Sequence, residues 1–349
     1  MGNKNFSVAK KVKNDEFYTY YEDIHKELNH YNKFFEDRIV LCNADDPEWS
    51  NFWRYFHQNF HLLKLKKLIS THYNVAGGPS YALIYEGEGD VHDFQIGTRV
   101  DLIGDGDFNS PECIAYLEEC DIVCTNPPFS LFRKYVDVLM EHKKDFVIIG
   151  SKNSVTYKSF FPYIKNNRIF VGYNSVKKFK QPDGTDKMFG NVGWFTTLDI
   201  DRIHEPFFKE TEWHSFYEGN EDSYPHYDNF NAIEVNRVDR IPRDYTGLMG
   251  VPVSYLDSHN SDDFEVVGIT KTWNGLASKI YDRQVQVNRD GKESIVTKLN
   301  DGAVLKVESP PKNKTYYVVD GKFYIQTYPR LLIRNLRPMT KEEEDLLWS

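Results

Sequence analysis

DIVCTNPPF, residues 121–129, decides how this chain is read. Residues 121–124 form a short apolar run and read as a buried strand. Asn126, Pro127, Pro128 and Phe129 end it. Proline has no N–H for a sheet ladder and holds φ at about −65°. It also forces the residue before it out of the helical region. Asn126 is thereby held extended, with its side chain presented at the strand's carboxyl end. In an open α/β sheet that is the end where ligands bind.

Working outward, apolar strands alternate with helical stretches. Residues 38–42 (RIVLC) and 67–71 read as strands. Residues 47–60 between them read as a helix, with Asp46 as cap, Pro47 in the first turn, and Phe52, Tyr55, Phe56 and Phe60 on one face. Residues 81–85 and 94–96 suggest an inserted hairpin, and residues 100–103 a third strand. A helix over 111–119, the strand at 121–124, a helix over 130–141 and a strand at 146–149 follow. Residues 168–171 and 192–198 complete the sheet. The rhythm predicts an α/β fold: a doubly wound, mostly parallel Rossmann-like sheet over residues 1–200. Beyond residue 200 come short alternating runs at 264–269, 284–288, 303–308, 316–319 and 331–333. Asp290-Gly291, Asp301-Gly302 and Asp320-Gly321 punctuate them. Residues 201–349 therefore read as a separate α+β region.

The chain has 349 residues, 40% of them hydrophobic, enough to bury a sizeable core. No apolar run approaches the ~18 residues of a membrane helix. The opening residues lack the apolar core of a signal peptide. Cys42, Cys113, Cys120 and Cys124 form no CxxC pair and read as reduced thiols, which places the expected protein in the cytoplasm without a structural metal. The formal net charge of −9 argues against nucleic acid as a partner, but its distribution does not. Between residues 141 and 187 ten basic residues face four acidic ones, whereas residues 199–228 carry nine acids against Arg202 and Lys209. A basic face remote from an acidic one is compatible with DNA, and equally with two solvated faces.

The Asn-Pro-Pro-Phe tetrad suits one particular chemistry. A flat exocyclic amine is a poor nucleophile because its lone pair is delocalised into the ring. It also carries two N–H donors. The Asn126 side-chain oxygen and a backbone carbonyl can accept both and localise the lone pair. Phe129 offers a ring to stack on a base that has left its duplex. In isolation a proline-rich turn over a buried phenylalanine explains the same four residues; at a strand end in this fold that explanation weakens.

Other segments stand in a consistent order around the tetrad: Asp15-Glu16-Phe17-Tyr18-Thr19, Cys42-Asn43-Ala44-Asp45-Asp46-Pro47, Ser50-Asn51-Phe52, Leu65-Lys66-Lys67, Gly104-Asp105-Gly106-Asp107-Phe108 and Phe132-Arg133-Lys134-Tyr135-Val136. Together they resemble the EcoRI-type adenine-specific DNA methyltransferase family, over residues 10 to 200 and more weakly through 244–252 and 328–333. The resemblance implies transfer of a methyl group from S-adenosylmethionine to adenine N6 in double-stranded DNA. It implies a catalytic Asn126, Pro127, Pro128 and Phe129. It places Phe17, Tyr18 and Thr19 on the methionine part of the cofactor. Asn43, Asp45 and Asp46 fall at the turn that takes its ammonium or ribose, and Asp105, Asp107 and Phe108 near its adenine. The C-terminal region then reads the DNA target.

Two departures from the wider methyltransferase pattern stand out. The first turn, NADDPEWSNF, has no glycine-rich loop, and the second strand ends in Ser70-Thr71-His72-Tyr73 without the usual ribose-binding acid. His72 reads as structural. Lys152 and Asn153, after the strand at 146–149, and Trp194 and Phe195, near the sheet's last strand, are candidate substrate contacts, with core packing the plainer explanation for either ring. Arg240, Arg243, Lys271, Lys279, Arg283 and Arg289 are unranked candidates for reading bases. Two alternatives stay open: methyl transfer to RNA or a protein amide, and a DNA-binding relative that has lost catalysis. A nicotinamide dehydrogenase is disfavoured by the absence of GxGxxG after the first strand. The sequence leaves the oligomeric state open, with a monomer compatible.

Overall fold

The computed structural model describes residues 17–43, 46–74, 76–207, 215–216, 221–340 and 343. The chain divides into two compact units: residues 1–154 with 169–200, and residues 155–168 with 201–349.

The first unit contains β1 (Tyr18–Thr19), α1 (Tyr21–Leu28), α2 (Asn32–Phe35), β2 (Ile39–Asn43), α3 (Asn51–Gln58), β3 (Lys67–Thr71), β4 (Tyr81–Tyr85), β5 (Thr98–Asp101), α4 (Pro111–Glu119), β6 (Ile122–Thr125), α5 (Phe132–Glu141), β7 (Asp145–Ser151), β8 (Phe170–Ser175), β9 (Lys178–Lys180), β10 (Asp186–Met188) and β11 (Val192–Thr196). Eight strands form one mixed sheet in the order β5-β4-β3-β2-β6-β7-β11-β8. The central four, β3, β2, β6 and β7, run parallel. The outer four pair antiparallel. β2 is Ile-Val-Leu-Cys-Asn with every residue buried, the continuous run expected of a strand covered on both faces. A second, three-stranded sheet joins β1, β9 and β10.

Local chemistry explains the starts of two helices. Ser110 accepts the Cys113 N–H at 3.2 Å, and Pro111 occupies the first turn of α4, where its missing N–H costs nothing. The helix expected over 47–60 is shorter. Ser50, rather than Asp46, caps α3, its hydroxyl accepting from Phe52 and Trp53 at 3.1 Å each. The Trp49 and Ser50 N–H groups donate to the Asp46 carbonyl, making a turn. This frees the Asp46 carboxylate for other partners. The hairpin expected from 81–85 and 94–96 instead pairs β4 with β5, and residues 94–96 lie in turns. The third strand expected at 100–103 is this antiparallel edge at 98–101, with all four β5 residues exposed. A segment reading Thr-Arg-Val-Asp has one apolar side chain, too little to hold a central position.

Among its described residues the second unit holds α6 (Phe161–Lys165) and nine strands: β12 (Ile233–Glu234), β13 (Leu248–Pro252), β14 (Phe264–Ile269), β15 (Gln284–Val287), β16 (Glu293–Val296), β17 (Val304–Val307), β18 (Tyr316–Val319), β19 (Lys322–Gln326) and β20 (Arg330–Asn335). They form a four-stranded sheet, β12-β13-β20-β14, and a five-stranded one, β16-β15-β18-β19-β17. Asp320 and Gly321 turn β18 into β19 with φ of 49° and 72°, the pair of positive values a two-residue hairpin loop needs. Asp301-Gly302 makes no such turn, because Gly302 is extended.

His259 lies buried in this unit, against the Tyr255 hydroxyl at 2.9 Å. Burial, and then the Arg202 charge, push its imidazole down to about 4. The unfolded chain protonates this histidine first as pH falls through about 6.5. Stability should therefore drop between pH 6.5 and 4, by about 3 kcal/mol if the full difference is realised. Urea titrations across that range should show the drop in the wild type and a much shallower one in His259→Gln. No helix among the described residues is long and apolar enough to cross a membrane.

Candidate active site at the strand ends

Five segments enclose a cavity of about 410 Å³, within the size range of cofactor pockets. They are residues 17–19, residues 46 and 49–52, residues 72–74 and 76, residues 106–108, and Asn126 with Pro128, Ser130 and Leu131. The cavity thus lies past the carboxyl ends of β2, β3 and β6.

Asn126 stands one residue beyond β6. Its Nδ2 donates to the Phe17 carbonyl at 2.5 Å. A carbonyl only accepts, so this bond decides which end of the amide faces which way. Oδ1 is buried, and no described residue donates to it. An unmet buried acceptor costs about 1–3 kcal/mol and calls for an explanation such as a ligand. Pro127 is buried, and Pro128 lines the cavity. The Phe129 ring stacks on Phe17, centroids 5.7 Å apart at 28°. It meets Phe179 and Phe189 edge-on at 5.7 and 5.3 Å. Those two rings come from the β9–β10 hairpin, which the sequence did not reveal; its strands are only three residues long.

Phe17, Tyr18 and Thr19 all line the cavity. The Thr19 hydroxyl is buried and, among the described residues, has no hydrogen-bond partner. Asp46 also lines the cavity. Its Oδ1 accepts from the Glu48 N–H at 3.0 Å and the Tyr81 hydroxyl at 3.1 Å, and its Oδ2 lies 3.7 Å from His72 Nε2. Burial and the Asp46 carboxylate push the Tyr81 hydroxyl well above its ordinary value, so it stays a donor. Asp45 lies outside the described residues. Asp107 and Phe108 line the cavity, and the Asp107 carboxylate accepts the Asn109 N–H at 2.7 Å.

Two expected cofactor residues do not line the cavity. Asn43 is buried: its carbonyl accepts from Thr125 at 2.8 Å and its side-chain oxygen from Tyr135, so it ties β2 to β6 and α5. Asp105 accepts the Asp107 N–H at 3.0 Å and, through its carbonyl, the Asn74 N–H at 2.7 Å. It shapes the loop from which Asp107 projects.

The four expected substrate contacts also lie off the cavity. Trp194 and Phe195 are fully buried, against Phe52 and Phe132 respectively. β11 lies between β7 and β8, so alternation sends one ring to each covered face. Lys152 is buried over Gly193 and donates to Ser175 at 2.9 Å. The exposed Asn153 accepts from Asn191 at 2.7 Å. Conversely, the cavity includes Trp49, Asn51, Tyr73 and Asn74, to which sequence reading gave no role. Only their nearness to strand ends offered a signal.

The family model described as adenine-specific methyltransferase EcoRI matches residues 5–335. The chain belongs to that family. It is an adenine-specific methyltransferase. Among curated relatives, the Type II methyltransferase M.EcoRI of Escherichia coli is 42% identical over 297 residues, covering 77% of this chain and 90% of that one. Type II methyltransferases of Mycoplasma genitalium and Mycoplasma pneumoniae are 36% and 37% identical over 281 residues. Each covers 75% of this chain, and 85% and 84% of its own length respectively. No solved structure matches the chain. In this family member the turn after β2 has no glycine-rich loop. The carboxylate it offers to the cavity, Asp46, is held by Tyr81 from the neighbouring β4.

Proposed function

We propose that this enzyme transfers a methyl group from S-adenosylmethionine to N6 of adenine in duplex DNA, with the target base turned out of the helix. The observation that carries the reading is the buried, unmet Oδ1 of Asn126 at a cavity of cofactor size. Asn126 Oδ1 accepts a hydrogen bond from one N6–H and the Pro127 carbonyl from the other, which localises the nitrogen lone pair. Phe129 offers its ring to the extruded base. The residues present fit the cofactor: Phe17, Tyr18 and Thr19 for its methionine part, Asp46 for ammonium or ribose hydroxyls, and Asp107 with Phe108 for its adenine. Bound S-adenosylmethionine supplies an electrophilic methyl group on a sulfonium. In this reading the mixed sheet is a doubly wound, Rossmann-like methyltransferase core. Residues 201–349 are then the target-reading region, and the setting is restriction–modification. Sequencing methylated bases in DNA from cells that express the chain tests it. N6-methyladenine at one short motif, lost in Asn126→Ala, is the expected result; unmodified DNA in both would refute it.

Lys177, Lys178 and Lys180 are exposed around β9, and suit phosphate contacts. DNA affinity should fall steeply with salt despite the net charge of −9. Each phosphate contact adds about 0.9 to the log–log slope. Replacing all three with Gln should lower the slope by about two units, because Lys178 already shares Asp186 at 2.6 Å. Fluorescence anisotropy titrations between low and physiological salt measure it.

A further inference from the structure

We infer that Asn51 is a positioning residue for methyl transfer, acting on Asn126 through β1; the inference rests on the function proposed above. Asn51 is the first residue of α3, directly after its Ser50 cap. Its Nδ2 donates to the Thr19 carbonyl at 2.7 Å. Two residues earlier, the Phe17 carbonyl accepts from Asn126 Nδ2 at 2.5 Å. Carbonyls two apart in an extended strand point to the same edge. Two asparagines that are far apart in sequence thus serve the carbonyls of Thr19, in β1, and of Phe17, directly before it, on one edge of the extended segment.

Both partners are acceptors only, so each amide must present its NH2 group to β1. For Asn126 this leaves Oδ1 as the end to which no described residue donates. β1 itself is two residues long, paired to β9 through Tyr18 and Thr19. So short a strand does not hold its own register. Asn51 pins it to the start of α3, a helix fixed in turn by the buried Phe52, Trp53, Tyr55 and Phe56. The position of the Phe17 carbonyl, and with it the orientation of the Asn126 amide, therefore depends on Asn51. Loss of the Asn51 donor frees the Asn126 amide to rotate and present NH2 toward the amine it is to accept from, a donor facing a donor.

Asn51→Asp tests this without loss of fold, because a carboxylate at a helix N-terminus is favourable. Its melting temperature should stay within a few degrees of the wild type, the helix-terminal charge offsetting much of the lost hydrogen bond. In protein labelled with 15N asparagine, the Asn126 side-chain amide is identified by its disappearance in Asn126→Asp. Its exchange with solvent should accelerate about tenfold or more in Asn51→Asp. The single-turnover rate of methyl transfer at saturating S-adenosylmethionine should fall about 10²-fold. Asn51→Ala, which carries no charge, should show the same losses. Unchanged Asn126 amide exchange would overturn the linkage. A normal transfer rate at saturating S-adenosylmethionine in Asn51→Ala would overturn the positioning role. A wild-type chain that leaves adenine unmethylated defeats the proposed function instead, and the amide exchange still decides whether Asn51 holds Asn126.

Discussion

Asn126→Ala should lower the rate of methyl transfer by about 10²-fold or more, as removal of one preorganised polar partner does elsewhere. The change removes Oδ1, the acceptor proposed for one of the two N6 protons. It also removes the donor to Phe17, so that carbonyl loses its partner. The fold should survive: Asn126 is half-buried, and Pro127 still ends β6. Circular dichroism and the melting curve should stay close to wild type. S-adenosylmethionine affinity should change little, because the acceptor serves the substrate amine. Asn126→Asp separates the two parts of the side chain. A carboxylate still accepts, so some transfer should remain, but it faces the Phe17 carbonyl with no donor and loses the orienting bond. Near-normal turnover in Asn126→Ala would remove the tetrad from the chemistry.

Gly106→Ala should be the most damaging single methyl addition at the cavity. Gly106 has φ of +82°, and a Cβ there would lie 2.0 Å from the His72 backbone oxygen. A backbone oxygen cannot swing aside as a side chain does. Either the 104–108 loop or the end of β3 must move, and both form the cavity wall. The left-handed conformation alone costs a non-glycine residue about 1–3 kcal/mol, and the collision adds to it. A stability loss of about 3 kcal/mol or more is expected, with S-adenosylmethionine affinity down about 10²-fold. Gly77→Ala is the control. Gly77 shares the positive φ, at +77°, but has nothing within 4 Å of an added Cβ. It should show the backbone strain alone and bind the cofactor nearly normally. Calorimetry on the pair isolates the close approach. Equal effects at the two glycines would mean that the His72 carbonyl is not a fixed wall.

Much of the architecture was legible because its signals are local. Ser110 and Pro111 start α4 at the residue the sequence indicates, since cap and ring act on their own turn. β14 and β18 coincide with the runs read from alternation alone. The boundaries that shifted did so for equally local reasons. Asp46 and Ser50 are both acceptable caps, but the Asp46 carbonyl closes a turn with Trp49 and Ser50, and the Ser50 hydroxyl takes the first helical N–H groups. The antiparallel edge at β5 was not legible. An isolated four-residue strand carries no mark of its direction, which its partner β4 decides.

Site residues divide along the same line. The sequence by itself determined that a strand ends in Asn126-Pro127-Pro128-Phe129, because proline fixes its own φ and restricts the residue before it. The family resemblance implies cofactor roles for Phe17, Tyr18, Thr19, Asp46, Asp107 and Phe108, and these residues line one cavity. Only the tertiary structure decided that Trp194 and Phe195 fill core layers, that Asn43 and Asp105 serve the scaffold, and that Lys152 is spent on Ser175. Each outcome depends on which strand became the neighbour. The orientation of the Asn126 amide belongs to the same class. It is set by a carbonyl 109 residues away in sequence, and a hydrogen bond between such distant segments leaves no periodicity or cap in the chain that forms it.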